Sequence, residues 1–174
     1  MSQLVNLSAA EMGRRIWLRQ ISSVELVKAH LAAIDELNSR LNAFIEIRAE
    51  QAVEEAQSAD SRIIRGEYVG PLHGVPISIK SSIAVADCKN EAGSPTRRGL
   101  RAENDATLVK RLRDAGAIIL GLTNTPEMLM AYETENPLYG RTNSPWQLER
   151  TPGGSSGGGS GSDCQRDLCR WRGK

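Results

Sequence analysis

Aromatic residues are scarce in these 174 residues. They make up 4% of the chain, with a single phenylalanine, Phe44. A core must therefore rest on Ala, Leu, Ile and Val, which the 40% hydrophobic fraction supplies. Cysteine is equally sparse. Cys88, Cys164 and Cys169 are odd in number and scattered, which excludes a disulfide framework and suits a reducing compartment. Cys164 and Cys169 have no second pair and no histidine following them, so no metal site is expected. No run approaches the ~20 apolar residues of a membrane span, and the N-terminal stretch has no apolar run of signal length. Charge of one sign is also lacking. The net charge of +1 points to neither a nucleic acid nor an acidic partner. A soluble cytoplasmic protein is expected, with its oligomeric state open.

The order of elements is helices first, then alternation. Ser8 with Glu11, and Ser22 with Glu25, have capping-box spacing. They predict a helix to about Arg19 and a longer one to about Leu37. Val24, Val27, Leu31 and Ile34 mark the buried face of the second. Leu41 to Ile47 reads as a strand, and Ala49 to Ile64 as a helix packing through Ala52, Ala56 and Ala59. After the Gly70-Pro71 loop, Val75–Ile79 reads as a short buried strand. Asp105 is expected to cap a helix to about Asp114, with Leu108, Val109 and Leu112 inward and Gly116 ending it. Ala117–Leu122 is a second apolar strand. Pro126 suits the start of another helix, continuing near Met130. From Asn136 onward loop is expected. The fold class is α/β: an N-terminal helical cap beside the first part of a mixed sheet flanked by helices.

Two segments carry chemistry. Pro71 to Ser81 places Lys80 at the end of an uncharged strand. If that end is buried, desolvation disfavours the ammonium and the amine becomes a general base. A strand-end lysine reaching water is the plain alternative. Thr151-Pro152-Gly153-Gly154-Ser155-Ser156 followed by three glycines admits three readings: a flexible linker, a phosphate-cradling loop, or a catalytic serine loop. The second lacks a Gly-Lys-Ser/Thr sequence, and no helix-forming sequence follows.

Taken together the segments resemble the amidase signature family. The match runs through GPLHGVPISIKSS at Gly70–Ser82, DATLVKRLRDAGAIILGLTNTPEM at Asp105–Met128, NPLYGRTNSPW at Asn136–Trp146 and TPGGSSGGG at Thr151–Gly159. It covers roughly Asn6 to Gly158. The resemblance implies an amide hydrolase with a Ser-Ser-Lys triad, a small-molecule amide substrate and no cofactor. It implies that Lys80 is the base and that Ser155, after a cis Gly154–Ser155 bond, is the bridging serine. Gly153, Gly154 and Ser156 would support the loop, and Leu129 and Met130 would line the acyl pocket. His73 matches a loop position without a chemical role, and His30 reads as a surface or packing residue.

In the family the nucleophilic serine lies some two dozen residues beyond the bridging serine, on a turn whose amides form the oxyanion hole. This sequence stops at Lys174, and after Gly158 it departs from the family pattern. The expectation is a family portion over 1–158, then an aberrant, basic, disordered tail over 159–174. One permitted set of codons for Asp163–Lys174, read one base later, gives Ile-Ala-Ser-Ala-Ile-Ser-Ala-Gly-Gly-Val-Gly, the small-residue helix and turn the family would have. A frameshift near Gly158 is the corresponding hypothesis. Amide hydrolysis is then expected by descent and not from the chain alone; a non-catalytic interaction module is the alternative. Strands beyond this point would cover Val75–Ile79 and Ala117–Leu122.

Overall fold

The computed structural model describes residues 2–163. Helix α1 spans Ala9–Trp17, α2 Ser23–Leu41 and α3 Ala49–Ile64; strand β1 is Phe44–Ile47. Strand β2, Pro76–Lys80, leads through a long loop to α4, Thr107–Asp114, and then to β3, Ile118–Thr123. Helix α5 is Gly157–Asp163.

Local chemistry explains most boundaries. At α2 the reciprocal cap forms as predicted. Glu25 N donates to Ser22 Oγ at 3.0 Å, and Ser22 N donates to Glu25 Oε2 at 2.8 Å. Ser8 caps α1 in one direction only, accepting from Glu11 N. The Glu11 carboxylate is instead held by Arg14 and Arg15. Helix α2 ends at Asn42, which takes a left-handed φ of 50°. The Asn38 side chain then accepts from Ala43 N and Phe44 N and starts the strand.

The sheet has the order β1-β3-β2, with β1 antiparallel and β2 parallel to β3. Ile118 and Leu120 pack with Val27, Ile34, Leu37, Ala52 and Ala56 of α2 and α3. Ile119 and Leu122 pack on the opposite face with Ile79 and Val109. Strict alternation would put Leu122 with Leu120. Against β2 the register slips between Ile119 and Gly121, where β3 carries one residue more than its partner, an irregularity that reverses the parity. Gly121 is required here, because a Cβ would press on Glu46 O of β1.

Several expectations need correction. β3 does not wait for later strands: all six residues are buried by α2, α3, α4 and the two flanking strands. Asp105 does not cap α4. Its carboxylate accepts from Ala86 N and Arg113, and the residue before α4 is Ala106. Leu108 is 50% exposed, since it lies about 100° round the helix from buried Val109. No α-helix starts at Pro126. A single tight turn, Glu127–Leu129, forms instead, with Met128 and Leu129 at φ of 47° and 65°. Met128 N donates to Ala92 O, which pulls the chain out of the helical path.

Loop was also expected through the glycine run, yet α5 begins at Gly157. Packing overrides the poor helix propensity of glycine here. Gly157 and Gly158 are buried against Thr134, Asn124 and Ala43, where side chains would not fit. The remainder of the basic tail, with Cys164, Cys169 and the frame-shifted reading, lies outside the described residues. Among the described residues no helix is long and apolar enough to cross a membrane.

Candidate active site

Side chains alternate along β2, so Ile77 and Ile79 face α4 while Ser78 and Lys80 leave the sheet on the other side. Lys80 stands at the carboxyl end of the strand, opposite Thr123 of β3. The carboxyl ends of parallel strands are where open α/β sheets place ligands. From there Lys80 Nζ donates to Ser155 Oγ at 2.8 Å and to Ser156 Oγ at 3.0 Å. The lysine and serines are 75 and 76 residues apart in sequence and meet only in the fold. The Gly154–Ser155 peptide is cis.

Burial pulls the Lys80 ammonium below the ordinary lysine value of 10.5. Among the described residues no carboxylate lies within ion-pairing distance of it, so no ion pair offsets the desolvation. An amine with this bias, in contact with two hydroxyls, can accept a hydroxyl proton. An NMR titration of lysine Cε, assigned with Lys80→Arg, should place the Lys80 midpoint below 10.5; a midpoint at or above that value would contradict the burial argument. The sign for stability follows. The unfolded chain holds this proton to higher pH than the folded one, so the stability contributed here rises as pH climbs from the folded value to 10.5.

The serine loop is positioned by residues that sequence reading did not single out. Thr134 is fully buried. Its Oγ1 donates to Gly153 O at 2.8 Å and accepts from Gly157 N at 3.0 Å, so one hydroxyl grips the backbone on both sides of the serine pair. Thr134 N in turn donates to Thr151 Oγ1. Gly153 has φ 96°, which favours glycine. Gly154 lies on the backbone of residues 131–133; a Cβ there would fall 2.8 Å from Tyr132 C and 2.9 Å from Glu133 N.

Below the loop lies a buried polar layer. Asn124 donates to Gly140 O and Thr142 Oγ1 and accepts from Thr125 N and Asn136 Nδ2. All four hydrogen bonds open to its amide are made. Asn136 also donates to Thr125 O, and its own oxygen accepts from Leu138 N and Tyr139 N. Ser81, next to Lys80, meets Thr125 Oγ1 at 3.2 Å. The only sequence signal for this layer was short polar residues just past an apolar strand.

Leu129 and Met130 are 40% and 87% exposed, and the chain segment that follows them runs under Gly154. His73 is enclosed away from the serines. Its Nδ1 accepts from Val69 N, Nε2 meets Ala59 O at 3.0 Å, and its ring stacks on Tyr68. His30 Nδ1 lies 2.8 Å from Leu26 O within α2.

The family model described as Amidase matches residues 25–162. The A subunit of glutamyl-tRNA(Gln) amidotransferase from Thermobifida fusca is 44% identical over 160 residues, which are 92% of this chain and 32% of that protein. Peptide amidase from Stenotrophomonas maltophilia superimposes with a TM-score of 0.80 at 35% identity, over 87% of this chain and 32% of its own. An inhibitor-bound protein from a vestigial complex, described with the evolutionary origins of an s-triazine catabolic enzyme, gives 0.87 at 35% identity, over 91% and 35%. The chain thus spans about a third of the length of these relatives. A family match across most of the sequence, on a fold that brings the strand-end lysine to the glycine-flanked serines, makes this chain a member of the amidase signature family.

Proposed function

We propose that this chain carries the proton relay of a Ser-Ser-Lys amide hydrolase acting on a small-molecule carbon–nitrogen bond. Lys80 is the base and Ser155 the bridging serine. Gly153, Gly154 and Ser156 shape the loop, and Leu129 and Met130 border the acyl side of the pocket. The observation that carries the reading is the 2.8 Å contact between a desolvated Lys80 and Ser155 Oγ. The neutral amine takes the Ser155 proton, and Ser155 takes one from a nucleophilic hydroxyl that attacks the amide carbonyl.

That relay needs a third hydroxyl beyond Ser155. Among the described residues the hydrogen-bond partner of Ser155 Oγ is Lys80 alone. The 174-residue chain by itself is therefore expected to show no serine-dependent turnover of aryl or alkyl amides. Turnover at typical enzyme rates, about 1–10³ per second, abolished by Ser155→Ala, would overturn this.

A non-catalytic interaction module is the second reading. It is favoured by Met130 and Tyr132, 87% and 94% exposed beside the serine loop. A binding interaction lost in Tyr132→Ala and kept in Lys80→Met and Ser155→Ala would support it over the relay.

A further inference from the structure

The relay uses Ser155 and gives Ser156 no chemical step. The geometry does not separate the two so sharply. Ser156 Oγ is 3.0 Å from Lys80 Nζ, directly and with no intermediary. Ser155 is half-buried, whereas Ser156 is exposed, so Ser156 is the hydroxyl an incoming electrophile meets first. A serine in contact with a lysine biased toward its neutral form is the minimum needed for an activated nucleophile. Tyr132 is 94% exposed, and its backbone lies under Gly154, two residues before Ser156.

We propose that Ser156 is an acyl acceptor in its own right, taking the acyl group of activated aryl esters with Lys80 as its base. The Oγ–C(acyl) bond forms as the hydroxyl proton passes to Lys80 Nζ. The C–O(aryl) bond breaks and the aryl oxide leaves with the electron pair. Lys80 then returns its proton to water. The class of substrate follows from the leaving group. A nitrophenoxide departs as a stable anion without being protonated, whereas an amide nitrogen does not. The reaction is therefore compatible with a chain that turns over no amide.

The experiment uses the 174-residue chain and p-nitrophenyl acetate, with the acetylated residue located by tandem mass spectrometry. One acetyl on Ser156 is expected, formed with an equimolar release of nitrophenoxide. Ser156→Ala should remove it. Lys80→Met should slow it by about a hundredfold, because the hydroxyl remains but its base is gone. Circular dichroism on both variants checks that they keep the fold, and the mapping on the unsubstituted chain decides the matter even where they do not. Acetyl on Ser155, on Lys80 Nζ, or spread over surface amines without enrichment at Ser156 would overturn the proposal. Each of those outcomes leaves the Ser155 relay standing, since that reading is tested on amide turnover.

Discussion

A chimera in which residues 25–162 replace the matching third of Stenotrophomonas maltophilia peptide amidase should lose amidase activity by about 10⁴-fold when Lys80 becomes methionine. The two proteins share 35% identity and superimpose with a TM-score of 0.80 over this region, so the sheet and loop can carry over as a unit. Methionine keeps the length and apolar body of lysine, so the packing at the end of β2 survives. In the proposed relay, what disappears is the acceptor for the Ser155 proton. The loss should then fall on kcat, because in that relay the lysine acts on the proton and not on the bound amide. Ser155→Ala should cost a similar factor. The double variant should be little worse than either single one, since two members of one relay fail together. Rates are referred to the unsubstituted chimera. A Lys80→Met chimera within about tenfold of it would remove the lysine from the mechanism.

The parts of this site that the sequence revealed are those whose chemistry is local. Lys80 ends an uncharged strand, and Ser155 sits among glycines; each signal is contained in its own short segment. The supports are different. Thr134 acts on Gly153 and Gly157 across 19 and 23 residues, and Asn124 acts on Thr142 across 18. A threonine or asparagine in a loop carries no periodicity, so nothing in its own neighbourhood says what it will hold. The same limit explains the misread elements. Propensity placed a helix at Pro126 and none after Ser156. The structure reverses both, because Ala92 O captures Met128 N in the first case and close backbone packing favours glycine in the second. Period also failed within β3, where one irregular step moved Leu122 to the opposite face from the one that alternation assigns it.

Close packing at the start of α5 sets the second large effect. Gly158→Ala should destabilise the chain by about 3 kcal/mol, the upper end for overpacking a rigid interior. The added Cβ would press on Asn124 N and O and lie 2.8 Å from Ala43 O. All three atoms are backbone, and Asn124 N already donates to Ala43 O at 2.8 Å. No side chain can swing aside, so either α5 lifts or the end of β3 parts from the start of β1. Thr134→Val tests the same joint without adding bulk. It keeps the shape and leaves Gly153 O and Gly157 N without their shared partner, at a cost of about 1–3 kcal/mol for each buried group left unpaired. Both changes should lower the urea midpoint, and both should open the serine loop. The readout for the loop is the Lys80 titration, which should move back toward 10.5 as Ser155 and Ser156 withdraw and water enters. If Gly158→Ala left the midpoint and the titration unchanged, the loop would not be held by α5. The contact between Lys80 and Ser155 would then owe its geometry to Thr134, Thr151 and the backbone under Gly154.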